Sequence, residues 1–346
     1  MFAKILPVAL LLGITVSSVA GSSLPGVLAR ARANGSLRIA WMGTSITCGL
    51  GATSEAQRFS VQVNTFLERQ TGAKIISQNF CFGGAHSLLQ IALLKTSVVP
   101  WKPDLVIAEL GTLDEFYQPI SLPAIEAFMR IAYSARLPLI ALYPYTTYAD
   151  VARLGLHKLA ALYGYDVIDM VSYASRHGVL LQQITEDGCH PNDRGQALIA
   201  AAFKNRINLD AGEDHWPDAL PKLIHSPDLS GVNFQPISLD AGAERVTPRS
   251  FDGQGYALRI SGELTITQAF RGSLIGLLFQ FQGAPGKMSY RIDGGEWSDV
   301  QIAPEWFLNY VLRTDLADTG HTIELRITPH QGGPAVLEGL LANKNR

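Results

Sequence analysis

The sequence has almost no charge imbalance and very little cysteine. Acidic residues outnumber basic ones by two, so the formal net charge of the 346 residues is −2. A chain so close to neutral gives no electrostatic reason to expect a nucleic acid or an anionic membrane surface as partner. None of the three cysteines belongs to a Cys-x-x-Cys pair or a His/Cys cluster with zinc-ligand spacing, so we expect no metal site. No glycine-rich dinucleotide or phosphate loop follows a predicted strand, and we expect no cofactor.

Long hydrophobic runs are also missing after residue 21. The apolar run Ile5–Val16 is too short to span comfortably the ~30 Å of a bilayer's hydrocarbon core. It follows a single basic residue, Lys4, and precedes the small residues Ser18–Ala20, which is the pattern of a secretory signal peptide. We expect residues 1–20 to be a signal peptide, the protein to be secreted or periplasmic, and no membrane insertion after cleavage. The alternative is a retained anchor.

From residue 36 to 208, short runs that are apolar throughout alternate with amphipathic stretches of helical length. The predicted strands are Leu37–Met42, Lys74–Phe80, Leu105–Leu110, Leu137–Tyr143 and Tyr165–Asp169, and helices are predicted near 56–70, 86–98, 122–135, 149–163 and 192–204. Strands of this kind with helical crossovers predict a three-layer α/β/α domain around a parallel sheet, as in flavodoxin-like folds. Ligands in such sheets bind at the carboxyl ends of the strands.

The rest of the chain has a different pattern. Residues 209–236 contain four prolines and predict a linker. Over residues 237–346 the apolar period changes to two, with turn signals between short runs, which predicts a smaller all-β sandwich or jelly roll. Within it, Lys287–Ile292 and Trp297–Ile302 flank Asp293-Gly294-Gly295-Glu296, whose composition is that of a hairpin turn.

Two short motifs carry residue types suited to acyl transfer. Gly43-Thr44-Ser45 ends the first predicted strand, which puts the Ser45 hydroxyl and its own N–H at the carboxyl edge of the sheet, as an oxyanion hole requires. The alternative is a turn serine that caps the next helix. In Asp187-Gly188-Cys189-His190-Pro191, the aspartate can accept the imidazole Nδ1–H and leave Nε2 to take a proton from a hydroxyl. The alternative is a surface loop with a capping carboxylate.

Together the two motifs resemble the first and last blocks of the SGNH (GDSL-like) hydrolases, the last of which reads Asp-x-x-His-Pro. The resemblance covers about residues 36–205, roughly half of the chain, and implies the parallel α/β fold of that family. It also implies that Ser45 is the nucleophile of a serine esterase, that His190 is its base, and that Asp187 fixes the imidazole tautomer.

The two middle blocks of the family are less complete. Asn79–Gly84 resembles the second block, which implies that the N–H of Gly84 serves the oxyanion hole together with that of Ser45; the alternative is a simple tight turn. The third block, usually Gly-x-Asn-Asp, reads Gly111-Thr112-Leu113-Asp114, and Leu113 has no donor where the family has Asn. Loss of one such donor typically costs ~10²–10³-fold in turnover. Either another group substitutes, or the enzyme is slow, or the site only binds. The candidate substitutes are Thr112, Gln118 and His86.

The three cysteines all fall near these motifs, on loops that we expect to converge at one sheet edge. A disulfide between two of them, with Cys48–Cys81 favoured, would brace the site; otherwise Cys48, Cys81 and Cys189 are small buried side chains. The residues expected to line a substrate cleft are Thr112, Asp114, His86 and Tyr145.

The β part of the chain, residues 237–346, resembles the jelly-roll modules attached to some carbohydrate esterases of the family. With export, this implies an acetylated glycan as substrate. We therefore expect a secreted serine esterase that removes O-acetyl groups from a polysaccharide or oligosaccharide through an acyl-enzyme. The alternatives are a polysaccharide O-acyltransferase that uses the same Ser–His pair, and a catalytically weak glycan-binding protein, which Leu113 suggests.

Overall fold

The structure is a computed structural model, and it describes residues 24–114, 118–147, 152–209, 219–237, 243–246, 257–282, 286–300, 309–331 and 333–343. The predicted signal peptide, residues 1–20, lies outside the described residues. Across the described ranges, no helix is both long and apolar enough to cross a membrane.

The first half of the chain is built on a five-stranded sheet. Its strands are β1 (Ser36–Gly43), β2 (Lys74–Cys81), β3 (Leu105–Glu109), β4 (Leu139–Tyr143) and β5 (Asp166–Asp169). They are all parallel and lie in the order β2-β1-β3-β4-β5, which confirms the predicted fold class. The chain changes its direction of winding between β1 and β3, and in such sheets the ligand crevice lies outside the carboxyl ends of these two strands.

Helices cover both faces of this sheet. They are α1 (Leu24–Asn34), α2 (Phe59–Thr71), α3 (Ser87–Leu93), α4 (Val99–Trp101), α5 (Gln118–Ser134), α6 (Arg153–Tyr163), α7 (Met170–Arg176) and α8 (Asp193–Leu209); a π-helical turn, Leu94–Val98, joins α3 to α4, and short 3₁₀ turns occupy Glu55–Gln57 and Leu181–Gln183. One hydrophobic layer contains α1, α2, α7 and α8, and the other contains α3, α5 and α6. Strands β3 and β4 are buried along their whole length for this reason, which explains their unbroken apolar sequence.

The described residues of the second half of the chain form β-strands and their connections. Its strands are β6 (Val232–Pro236), β7 (Glu244–Val246), β8 (Ala257–Ile260), β9 (Leu264–Arg271), β10 (Ile275–Phe281), β11 (Lys287–Ile292), β12 (Ser298–Asp299), β13 (Asn309–Arg313), β14 (Gly320–Thr328) and β15 (Ala335–Asn343). One antiparallel sheet has the order β13-β10-β15-β8-β7 with β6 also paired to β15, and the other has the order β12-β11-β14-β9. Alternate side chains of both sheets form one core between them. Strand β6 lies within the stretch 209–236 that predicts a linker.

The two halves share part of one hydrophobic core. The side chains of Leu229, Val232, Leu278 and Leu341 belong to the same buried cluster as helix α3. Lys95 Nζ also donates to the carbonyl oxygens of Ser230 at 3.0 Å and Val232 at 2.9 Å. Strand β15 is buried on both faces because one face packs in the sandwich and the other contributes to this shared core.

Candidate active site

The loop after β1 presents Ser45 at the carboxyl edge of the sheet. Residues 44–50 form a tight turn in which Cys48 N–H donates to Thr44 O at 3.1 Å and Leu50 N–H donates to Ser45 O at 2.9 Å. The backbone N–H of Ser45 donates to no group in the part of the chain that the structure describes. This N–H is therefore available to an oxygen that binds beside the Ser45 hydroxyl.

The loop before α8 brings an imidazole to that hydroxyl. Ser45 Oγ lies 2.8 Å from His190 Nε2, and His190 Nδ1 lies 2.5 Å from Asp187 Oδ2. The other carboxylate oxygen of Asp187 accepts the backbone N–H groups of Cys189 at 2.9 Å and His190 at 2.8 Å. The carboxylate thus fixes both the loop and the ring, and the three predicted side chains form one continuous hydrogen-bonded chain.

The Asp187 side chain is 54% exposed, and its hydrogen bonds keep the carboxylate ionised. Partial burial acts to raise its pKa, but hydrogen bonds from the imidazole and backbone of His190 and from the backbone of Cys189 outweigh it and lower the pKa to about 2. A carboxylate that is ionised at neutral pH can stabilise the imidazolium that forms when His190 takes a proton.

Several contacts hold the serine loop against the histidine loop. Gly51 has a φ of +91°, and a Cβ added there would come within 2.5 Å of Pro191 O, so this close approach requires glycine. Asp193, in the first turn of α8, accepts the backbone N–H of Thr53 at 2.9 Å and its hydroxyl at 2.6 Å. Because these contacts link segments far apart in the sequence, the Ser45–His190 distance is fixed by the fold.

The loop after β2 approaches the same point. A Cβ added to Gly83 would lie 3.8 Å from Ser45 Cβ, and the next residue, Gly84, has a φ of +80°. The predicted disulfide Cys48–Cys81 is confirmed, with the two Cα atoms 5.5 Å apart. It ties the serine loop directly to the strand that leads into Gly83 and Gly84.

Cys189 is a free, partly buried thiol next to His190. Burial raises its pKa to about 12, and the negative charges of Glu109 and Asp187 add to this effect. The thiol is therefore protonated at neutral pH, the form in which a cysteine is a poor nucleophile.

The residues predicted to line the cleft are more buried than a cleft lining requires. The Thr112 hydroxyl donates to Glu109 at 2.6 Å. His86 caps α3 by accepting the Leu88 N–H at Nδ1, 3.0 Å away, and burial lowers its pKa to about 3, so the ring is neutral with its proton on Nε2. Tyr145 packs, partly buried, against the hydrophobic layer that contains α2 and α8. The side chain of Gln118 lies outside the described residues.

Asp114 is also buried. It accepts the backbone N–H of Ser87 at 3.1 Å, the Ser87 hydroxyl at 2.7 Å and the Gly111 N–H at 3.1 Å. Burial raises its pKa to about 6, against the lowering effect of these hydrogen bonds. Between Thr112 and Asp114, the Leu113 side chain is 5% exposed and contributes no polar group.

Glu109 is the residue at this site that the sequence does not single out. It ends β3, is 1% exposed, and accepts hydrogen bonds from Thr44 and Thr47, which lie on either side of Ser45 in the sequence. The available signal is an acidic residue inside the otherwise apolar run Leu105–Leu110, because a carboxylate is almost never buried without partners.

The comparisons with known proteins agree with this architecture. No protein-family model matches the sequence, and no curated protein matches it. A solved two-domain esterase (CEX) active on acetylated mannans has a TM-score of 0.79 at 20% identity, with 93% of this chain and 95% of that chain covered. The chain has the fold of this two-domain esterase.

Two further solved structures are similar to this chain. The two-domain esterase co-crystallised with mannopentaose has a TM-score of 0.76 at 19% identity and covers 93% of this chain and 95% of that one. A catalytic mutant of an acetylxylan esterase from Geobacillus stearothermophilus covers 50% of this chain and 95% of its own, at 16% identity and a TM-score of 0.44. The two-domain esterase fold thus extends over both halves of the chain.

Proposed function

We propose that this chain is a secreted serine esterase that removes O-acetyl groups from a polysaccharide or oligosaccharide. The observation that carries the proposal is the chain of contacts from Ser45 Oγ to His190 Nε2 at 2.8 Å and from His190 Nδ1 to Asp187 Oδ2 at 2.5 Å. A serine, a histidine and a carboxylate in this order form the relay that activates a hydroxyl for attack on an ester.

The reaction proceeds in two balanced steps. Ser45 Oγ forms a bond to the acetyl carbonyl carbon while His190 Nε2 takes the hydroxyl proton, and the carbonyl oxygen becomes an oxyanion that accepts the Ser45 N–H, with Gly84 as the proposed second donor. The C–O bond to the sugar then breaks, and His190 returns the proton to the leaving sugar oxygen. In the second step water repeats the attack on the acyl-enzyme, which releases acetate and regenerates Ser45.

The substrate class follows from the fold and from the character of the chain. The two-domain esterase with the same fold acts on acetylated mannans, which makes an acetylated mannan the first substrate to test. Export is supported by the signal-like residues 1–20 and by the Cys48–Cys81 disulfide, since disulfides persist mainly in oxidising compartments. A net charge of −2 suits a neutral glycan better than a polyanion.

The test measures acetate release from acetylated mannan and p-nitrophenol release from p-nitrophenyl acetate. We expect Ser45→Ala to lose roughly 10⁴-fold or more in kcat, whereas Ser54→Ala should keep the wild-type rate. Ser54 is a matched control because it is an exposed serine nearby that makes no capping hydrogen bond with its side chain. A fluorophosphonate probe should label the wild-type protein at Ser45.

The alternative functions give different results in the same assays. Equal rates for the wild-type protein and Ser45→Ala would refute the esterase proposal. Transfer of the acetyl group to an added mannan oligosaccharide, in place of acetate release, would identify an acyltransferase with the same Ser–His pair. Binding of acetylated mannan with no turnover and no labelling would identify a glycan-binding protein.

A further inference from the structure

Leu113 leaves the oxyanion site without the side-chain donor that would otherwise complete it. In the mechanism proposed above, the work falls to backbone N–H groups of two separate loops, the one that carries Ser45 and the one that carries Gly84. Backbone donors stabilise a transition state strongly only when they are already fixed in position, because the reaction then requires no reorganisation of the donors. Two buried carboxylates fix these loops.

The first anchor is Glu109, below the Ser45 loop. Its Oε2 accepts the backbone N–H groups of Thr44 and Thr47, both at 3.0 Å, and the Thr47 hydroxyl at 2.6 Å. Its Oε1 accepts the hydroxyls of Thr44 at 2.5 Å and Thr112 at 2.6 Å. Four of these five hydrogen bonds hold the residue before Ser45 and the second residue after it, and the fifth links the carboxylate to Thr112. The Ser45 N–H stays outside the network.

Gly43 permits this anchor to come so close. A Cβ added to Gly43 would lie 2.6 Å from Glu109 Oε2 and 2.7 Å from Glu109 Cβ. Any other residue at the end of β1 would therefore push the carboxylate away from the loop. Gly43 therefore leaves room for the Glu109 carboxylate, while the same motif presents the Ser45 hydroxyl.

The second anchor is Asp114, beside the Gly84 loop. It holds the backbone and the hydroxyl of Ser87, which begins α3 three residues after Gly84, and its Oδ2 also accepts the Gly111 N–H. Glu109 and Asp114 lie on one short segment, on either side of Leu113. Glu109 binds the Ser45 loop, and Asp114 binds the residue at which α3 begins, directly after the Gly84 loop. Both are buried, with 1% and 2% exposure.

We propose that Glu109 and Asp114 are positioning residues, each of which fixes one of the two loops that carry the backbone donors of the oxyanion site. Because both lie on one short segment, they hold the two donors in a fixed relation and so compensate for the side-chain donor that Leu113 lacks. The proposal rests on the esterase function proposed above. Both carboxylates are buried, so we assign neither of them a direct contact with the substrate. Each acts through a loop, Glu109 through Thr44 and Thr47, and Asp114 through Ser87.

The test compares Glu109→Gln and Asp114→Asn with Glu126→Gln. Glu126 is a matched control because it is fully buried and also accepts several hydrogen bonds, but it binds no loop of the site. The donors are the Tyr163 hydroxyl, the backbone N–H groups of Ile224 and His225, and the His225 ring. We expect the first two variants to lose about 10–100-fold in kcat with KM within twofold, since small displacements of fixed donors have effects of this order. Glu126→Gln should lower Tm and leave kcat unchanged.

Thr47→Val keeps the proposal testable if a carboxylate variant does not fold. It removes the 2.6 Å hydroxyl bond to Glu109 and a longer 3.4 Å contact with the Met42 carbonyl oxygen, and it keeps the shape of the side chain. We expect a roughly threefold to tenfold loss in kcat without a change in KM. The rate of fluorophosphonate labelling at Ser45 should fall in parallel, because the phosphoryl oxygen uses the same donors.

The outcomes separate the two proposals. If the wild-type protein is labelled and hydrolyses esters while Glu109→Gln, Asp114→Asn and Thr47→Val match its kcat, the positioning role is wrong and the esterase function stands. A faster Glu109→Gln variant would also overturn the role, since it would show that the negative charge hinders the reaction more than the anchor helps it. If the wild-type protein neither turns over nor is labelled, both proposals fail.

Discussion

The disulfide between Cys48 and Cys81 allows a quantitative prediction. The bridge closes a loop with a sequence separation of 33 residues, which contains α2 and most of β2. In the chain-entropy model, a loop of this size removes about 12.5 cal/mol/K from the unfolded state, or about 4 kcal/mol at 25 °C. We expect the double variant Cys48→Ala/Cys81→Ala to lose roughly this much in free energy of unfolding.

Urea unfolding followed by circular dichroism measures the change, with Cys189→Ala as the matched control. Cys189 is the free cysteine, so its replacement should cost clearly less. Dithiothreitol should shift the unfolding midpoint of the wild-type protein to that of the double variant and leave the double variant unchanged. A loss of less than 1 kcal/mol in the double variant, or a wild-type midpoint that the reductant does not move, would refute the reasoning.

The same double variant also tests the role of the bridge in the site, because the bridge joins the loops that carry Ser45 and Gly84. Measured at a temperature where the variant is still folded, kcat for p-nitrophenyl acetate should fall about tenfold, the order expected when a donor loop gains freedom. An unchanged kcat would show that the hydrogen bonds to Glu109 and Asp114 fix the loops without help from the bridge.

Two further predictions concern pH. Because the pKa of Asp187 is lowered to about 2, its hydrogen bonds stabilise the protein at pH values above the ordinary pKa of 3.8 and are lost as the pH falls toward 2. Acid unfolding of the wild-type protein should show this dependence, and acid unfolding of Asp187→Asn should not. The kcat of Asp187→Asn should be about 10⁴-fold lower than that of the wild-type protein. Hydrogen bonds to the carbonyl of Ala317 and to Asp293 raise the pKa of His321. They therefore stabilise the protein at pH values below the ordinary histidine pKa of 6.5, and this stabilisation is lost as the pH rises through the raised pKa. The difference in Tm between pH 6 and pH 9 should be smaller in His321→Gln than in the wild-type protein.

Secondary structure was predictable where one local signal decides it. Strands β3 and β4 are buried along their whole length and almost entirely apolar. The structure places all five strands of the parallel sheet within two residues of the expected starts. Helix α7 was not predicted because it begins directly after β5, where Asp169 ends the strand and accepts the Ser172 N–H as the helix cap. Asp169 is both the last residue of the strand and the cap of a helix of only seven residues, so no separate signal marks the start of α7.

Long-range pairing limited the prediction of β6. Val232–Pro236 is short and ends in proline, which favours a linker. Its partner is β15, about a hundred residues later in the chain, and the Pro236–Gly339 pair is at one end of that ladder. Nothing within five residues of β6 reveals such a partner.

The same distinction separates the parts of the site. Asp187 and His190 are three residues apart, so their contact could be predicted from one motif. Ser45 was predicted from the family resemblance. Glu109 receives four of its five hydrogen bonds from residues 62 and 65 positions earlier. An isolated glutamate at a strand end can have many roles, and only the fold shows that this one binds the loop that carries Ser45.

The shared core between the two halves has a consequence for how the protein matures. Helix α3 packs in a cluster that includes Leu341, on strand β15. During synthesis, the α/β half leaves the ribosome first but keeps an uncovered apolar side until the chain has been made as far as that leucine. Such a species is prone to aggregate. We therefore expect the nascent chain to depend on a chaperone during this interval, and truncation before β15 to yield insoluble protein.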